Sequence, residues 1–143
     1  MTVQKILQGK PEGDIISIAP DASVSEAARL LSENKIGAVI VMDGQKVVGI
    51  LSERDIVREL GRRGSGCLDD LVSNLMTKAL ISCTRADKPM LMLEKMSQGR
   101  FRHMPVIEDD VLVGLISIGD VVNHRLAELA MERDALESMV MGH

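Results

Sequence analysis

Apolar and polar residues along this chain alternate between two rhythms. "ISIAP" (16–20) is a short apolar strand pattern. "DASVSEAARLLSEN" then places Val24, Ala27, Ala28 and Leu31 at i, i+3, i+4 and i+7, one buried face of a helix. Ser23 and Glu26 ahead of that face predict a capping box. "AVIVM" and "VVGIL" are near-continuous apolar runs, the mark of strands covered on both faces. "DGQK" between them is a hairpin signal. After Ser52 the pattern turns helical again in "ERDIVRELGRR".

The whole series then recurs. Gly49 lies over Gly114, and the same 65-residue offset superposes Ser17 on Ser82, Val41 on Val106, Ser52 on Ser117 and Asp55 on Asp120 without a gap. "VVGILSERDIV" thereby lies over "LVGLISIGDVV". The second copy's helix face is Pro89, Met92, Leu93 and Met96, with Pro89 in the first turn, where a missing N–H costs nothing. Its hairpin is "MPVI", "EDD", "VLVGLIS", and its closing helix is "IGDVVNHRLAELAMERDALESMV". Two copies are too few for a solenoid, so two face-to-face units of strand, helix, strand, strand, helix are expected.

The boundaries read as 3–62 for the first unit, 63–79 for a linker, 80–126 for the second unit and 127–143 for a helical extension. Gly61, Gly64 and Gly66 end the first unit. "CLDDLVSNLM" predicts one short bridging helix. "TVQKIL" resembles "VSNLM", as if each copy had its own lead-in. In the extension Leu126, Leu129, Arg133, Leu136 and Val140 trace a mostly apolar stripe, which predicts packing on a second subunit or on the N-terminal segment.

Composition narrows the function. The chain has 143 residues, enough for one compact domain or two small units sharing a core. Phe101 is the single aromatic residue, so the core is aliphatic, with ten methionines to fill its gaps. The net charge of -4 lacks the basic footprint of a nucleic-acid binder, and aromatic stacking platforms are missing. No apolar run approaches a membrane span, and the N-terminus has no signal-peptide pattern. Cys67 and Cys83 suit reduced thiols in a cytoplasmic protein, with Cys67 expected to be exposed after the Gly-rich turn. His103, His124 and His143 form no metal-ligand pair. No nucleophile is paired with a base, so neither catalytic nor metal-binding residues are assigned.

Ser52-x-x-Asp55 and Ser117-x-x-Asp120 each fit a helix cap, and duplication of a helix duplicates its cap. The tandem repeat, the hydrophobic-Gly-x-x-Ser-x-x-Asp pattern at one offset, "SERD" and "RHMPVI" also resemble a pair of cystathionine β-synthase (CBS) domains, a Bateman module of the stand-alone bacterial signal-transduction type. The resemblance covers about Val3 to Leu126. It implies an α/β tandem CBS pair related by a pseudo-two-fold axis, a homodimer, and two clefts for adenine nucleotides. AMP, ADP, ATP and NAD(H) are the expected ligands, with S-adenosylmethionine ranked below them and no catalytic cofactor. A downstream protein partner is expected but not named, and neither nucleic acid nor membrane is expected as a partner. The alternative is a structural or interaction module with unoccupied clefts.

The resemblance also assigns residues. Asp55 and Asp120 would accept both ribose hydroxyls through charge-assisted hydrogen bonds, with Ser52 and Ser117 on ribose or phosphate. The adenine slot would be Ser17, Ala19 and Val39 in the first copy, and Leu80, Ser82, Thr84, Met104 and Pro105 in the second. Arg102 and His103 would face phosphate in the second copy, where the first has Gly37 and Ala38. Arg54 has Gly119 as its counterpart. The sites are therefore expected to differ, the second suiting AMP and the first a longer ligand such as NAD(H) or ATP.

Overall fold

A computed structural model describes residues 2–9, 15–78 and 81–141. The elements run α1 (Val3–Gln8), β1 (Ser17–Ile18), α2 (Val24–Asn34), β2 (Ala38–Asp43), β3 (Lys46–Ser52) and α3 (Glu53–Arg63). After a 3₁₀ turn (Gly64–Asp69) come α4 (Val72–Leu75), α5 (Pro89–Gly99), β4 (His103–Glu108), β5 (Val111–Ser117) and α6 (Ile118–Val140). The predicted α/β repeat of strand, helix, strand, strand, helix is present in both copies. In the second copy the opening strand shrinks to one parallel bridge, Cys83 with Val106.

Contacts group the chain into two compact units. One comprises Glu12–Ser82 with Ile107–Val113. The other comprises Met1–Pro11, Cys83–Val106 and Gly114–His143.

In the first repeat β1 pairs parallel to β2, and β2 pairs antiparallel to β3. Val24, Ala27 and Leu31 of α2 are buried against Val39, Val41, Leu51, Ile56 and Val72. Each is a methyl-rich chain removed from water, a gain of roughly 1.5–3 kcal/mol for the larger ones. The forward half of the predicted cap forms, with the Glu26 N–H donating to Ser23 Oγ at 3.1 Å. In the second repeat Pro89, Met92 and Met96 take the matching buried face of α5.

The 65-residue offset holds at the level of single hydrogen bonds. Ile18 pairs with Val41 as Cys83 pairs with Val106. The Ile36 N–H donates to the Leu31 carbonyl, and the Phe101 N–H to that of Met96, both at 3.1 Å. Lys35 (φ 53) and Arg100 (φ 56) both turn the chain left-handed after their helices. The hairpin turns differ in sequence and yet both reverse the chain. Gly44 (φ 64) opens the first, whereas Asp109 (φ 49) and Asp110 (φ 64) form the second, both positive as a type I′ turn requires.

Two expectations are corrected. The linker does not form one helix: Asp70 and Leu71 are extended between the 3₁₀ turn and α4. A left-out carbonyl at that break is used at once, since Asp70 O accepts the N–H of Val24 at 2.9 Å. The lead-ins are also crossed. Val72 and Ser73 of α4, which precede the second copy, donate to Ala22 and Pro20 of the first (2.8 and 3.0 Å). Val3 and Gln4 of α1, which precede the first copy, donate to Asp87 and Arg85 of the second (2.9 and 3.1 Å). The short turn after α3 makes the first repeat the near neighbour of α4, which leaves α1 for the second. Each lead-in seats an apolar side chain over a hairpin glycine. A Cβ on Gly49 would meet Met76 Sδ at 2.6 Å, and one on Gly114 would meet Leu7 Cδ2 at 2.5 Å.

Cys67 is buried and not exposed as expected, because the 3₁₀ turn folds it inward. Cys83 is buried too, and neither cysteine is in a disulfide.

Candidate functional site

The two Ser-x-x-Asp segments sit where a strand hands over to a helix. β3 ends at Ser52 and β5 at Ser117, each an extended residue that caps the next helix. Both form the full capping box. The Asp55 N–H donates to Ser52 Oγ at 3.3 Å, and the Ser52 N–H to Asp55 Oδ2 at 3.0 Å. The corresponding bonds for Ser117 and Asp120 are 3.0 and 2.9 Å. A second constraint closes each junction. The Glu53 N–H donates to the Gly37 carbonyl at 2.9 Å, and the Ile118 N–H to the Arg102 carbonyl at 2.8 Å. The start of β2 or β4 is thus tied to the start of α3 or α6.

This second bond brings Arg102 beside Ser117 and Asp120, residues 15 and 18 positions further along the chain. Arg102 is exposed, and its main chain lies at the positive end of α6. His103 follows it, half-buried at the start of β4. Met104 and Pro105 are buried. The Pro105 carbonyl accepts the Cys83 N–H at 3.0 Å, so exposed Ser82 and Thr84 flank the residue that pairs with β4. The Thr84 N–H is engaged by the Asp87 carboxylate at 2.9 Å. Leu80 lies outside the described residues.

In the first repeat Ser17 on β1 and Ala19 just after it are exposed, and Ser17 pairs in register with Ile40. Ser52 stands opposite Ala38. Val39 is fully buried in the core cluster, main chain and side chain alike. Arg54 is exposed on the first turn of α3.

One residue escaped the sequence reading. Arg58 Nη1 donates to Asp55 Oδ1 at 3.3 Å. With Ser52 N and Ser52 Oγ both donating to Oδ2 at 3.0 Å, the Asp55 carboxylate has three partners. The i, i+3 spacing of Asp55 and Arg58 was the available signal. The offset places Asn123, an uncharged residue, at the same point of α6. Asp55 is nine-tenths buried, while Asp120 is half-buried.

Chemically, each junction offers a carboxylate, a hydroxyl and a helix start. The N–H groups of Arg54 and Gly119, second in their helices, have no acceptor in the chain among the described residues. Such groups favour phosphate or another anion. Among the described residues no cluster of three or more His, Cys, Asp or Glu could hold a metal. Among the same residues no helix is long and apolar enough to cross a membrane.

Comparisons with known proteins agree with this architecture. The CBS domain family model matches the chain twice, at residues 10–62 and 72–127. The crystal structure of a CBS-domain protein from Agrobacterium tumefaciens is similar, with a TM-score of 0.84 and 42% identity over 87% of this chain and 99% of that one. A CBS domain protein from Pyrobaculum aerophilum, solved in complex with AMP, matches with a TM-score of 0.76 and 26% identity over 92% of this chain and 99% of its own. The mitochondrial CBS domain-containing protein CBSX3 of Arabidopsis thaliana is 29% identical over 99% of this chain and 72% of its own length. In larger plant proteins of the family the chain spans only 21% to 25% of the length. Duplicated junctions, matched registers and two family matches lead to one conclusion: this chain is a member of the CBS domain family, with two CBS repeats.

Proposed function

We propose that this protein is a non-enzymatic regulatory module that binds an adenosine-containing ligand at its two Ser-x-x-Asp junctions and passes the binding on as a change of conformation. The observation that carries this reading is the convergence of Arg102, Ser117 and Asp120 at the start of α6, held by the Ile118–Arg102 bond. Asp120 suits a pair of ribose hydroxyls, and Arg102 with the Gly119 N–H suits a phosphate. The AMP complex of the Pyrobaculum relative supports the ligand class.

The second-repeat junction is the stronger AMP candidate. The first has a clamped carboxylate and a single exposed Arg54, and suits a longer ligand such as NAD(H) or ATP, with ADP intermediate and S-adenosylmethionine ranked last. The module works as a homodimer in the cytoplasm, upstream of a partner protein, and its two cysteines, neither in a disulfide, suit a reducing compartment. A ligand shifts such a module only by its differential affinity for the two states.

Thermal unfolding with AMP, ADP, ATP, NAD+, NADH and S-adenosylmethionine tests the proposal. At about 100 times its Kd a bound nucleotide adds about 2.7 kcal/mol, several degrees in Tm. A second reading, an interaction module with unfilled junctions, is favoured by one observation. The Asp55 carboxylate already has three internal partners. No shift with any of these ligands at millimolar concentration establishes that second reading instead.

A further inference from the structure

Each repeat has a lead-in that holds the turn before its first helix. α4 donates to Ala22 and Pro20 through Val72 and Ser73, and α1 donates to Asp87 and Arg85 through Val3 and Gln4. The two lead-ins are not held equally. Ahead of α4, Asp70 accepts the Val24 N–H at 2.9 Å, Leu71 pairs with Ser23, and Arg63 grips the Asp70 carboxylate. α1 has six residues and no side-chain cap at Thr2. A helix that short does not hold its shape alone, so its seat orders it. The seat takes Val3 and Ile6, both buried, and Leu7 over Gly114.

The residues that form this seat also build the second-repeat junction. The Asp87 carbonyl accepts the Val3 N–H at 2.9 Å. The Asp87 carboxylate accepts the Thr84 N–H at 2.9 Å, and the Asp87 N–H donates to the Thr84 carbonyl at 3.2 Å. Asp87 thus joins α1 to Thr84, next to the Cys83 that pairs with β4. Gly114, under Leu7, belongs to β5, the strand that ends at Ser117. α1 also packs on α6, the helix that Ser117 and Asp120 open, and leaves α6 exposed from Leu129 onward. The first-repeat counterpart of Asp87 is Ala22, which makes the same main-chain bonds and has no carboxylate. The side-chain link from lead-in to junction therefore belongs to the second repeat.

We propose that α1 is a strap that sets the second-repeat junction through Asp87, so that seating of α1 and binding of a phosphorylated adenosine at that junction favour each other. The coupling rests on the ligand reading above. Linkage makes it reciprocal: whatever unseats α1 weakens the ligand, and the ligand tightens α1.

Hydrogen exchange of the full chain, read by mass spectrometry, tests the strap without ligand. Val3→Asp/Ile6→Asp is expected to speed exchange about tenfold or more at residues 84–87 and 117–120. Residues 20–22 and 52–55, served by α4, are expected to exchange as in the wild type. Unchanged exchange at 84–87, or an equal rise in both repeats, overturns the proposal. Asp87→Ala leaves the buried side chains of the seat in place and keeps the test valid if the double variant does not fold. It is expected to weaken AMP about fivefold or more by calorimetry, with Asp87→Asn, which keeps an acceptor for Thr84, near the wild type. AMP is expected to slow exchange at residues 3–7 of the wild type. A wild type that binds AMP with no slowing there overturns the strap and leaves the ligand reading standing. A wild type that binds no AMP overturns the ligand reading and the coupling together.

Discussion

Arg58 donates to the Asp55 carboxylate at 3.3 Å, whereas Asp120, one repeat later, has Asn123 at the corresponding position. The two carboxylates are thus alike in their caps and unlike in the residue three positions on. A ligand hydroxyl that approaches Asp55 competes with the Arg58 guanidinium, whereas the corresponding place in α6 carries the uncharged Asn123. Asp120→Ala is expected to weaken AMP binding at least tenfold, since hydrogen bonds to a charged acceptor contribute about 1.5–3 kcal/mol each. Asp55→Ala is expected to leave that AMP affinity within about twofold. Isothermal titration calorimetry of both variants measures this, and an equal loss in both contradicts the assignment. Both variants also lose a cap, costing about 1 kcal/mol of stability, which denaturation reads separately.

Arg102 is tied to the start of α6 through its carbonyl, so its side chain can be changed without loosening the junction. Arg102→Ala is expected to lower affinity for AMP about tenfold and to leave affinity for adenosine unchanged. The wild-type preference for AMP over adenosine should shrink with added salt, as a phosphate contact does at an exposed site. A parallel loss for both ligands would place Arg102 away from phosphate.

The hairpin glycines give a stability prediction with an internal control. A methyl on Gly49 would crowd Met76 Cγ at 2.9 Å and the Thr77 carbonyl at 3.0 Å. That carbonyl accepts the Ile50 N–H at 3.1 Å and cannot retreat freely. The three atoms nearest a methyl on Gly114 all belong to the Leu7 side chain, which can rotate. Gly49→Ala is expected to cost about 1–3 kcal/mol, and Gly114→Ala less. Urea unfolding midpoints decide the order, and equal costs would show that Leu7 is held as firmly as Thr77.

Acid sensitivity has a defined contributor. The hydrogen bond from Arg63 holds the Glu59 carboxyl below the usual carboxylate range. Arg63 also grips Asp70, which ties the end of α3 to the linker. A carboxyl with a depressed folded-state pKa contributes stability above its unfolded pKa, and loses it as pH falls through the folded value. The wild type is therefore expected to lose more stability between pH 7 and pH 3 than Glu59→Gln does. The pair is exposed, so the difference is small and should fade in high salt. Urea titrations at several pH values measure it.

Much of the fold was legible in the residues. The buried faces of α2 and α5 follow from the 3.6-residue period, and the ends of α3 and α6 follow from Ser52, Ser117 and the glycines after Arg63. The caps were legible because a capping box is local, made by residues three apart. The Arg102 junction was not, because it depends on a main-chain bond between residues 16 apart that no pattern of side chains encodes. The linker was misread for the same reason: Asp70 stays extended to serve Val24 in another element.

By itself, then, the sequence determined the repeat, the elements within it and the local chemistry of each Ser-x-x-Asp turn, since these rest on periodicity and on contacts within a few residues. Only the tertiary structure decided which lead-in serves which repeat, that Val39 and Cys67 are enclosed, and that the stripe on α6 is left uncovered. Those outcomes depend on which apolar surfaces find each other first across the chain, and burial between distant segments leaves no signature in the spacing of either one.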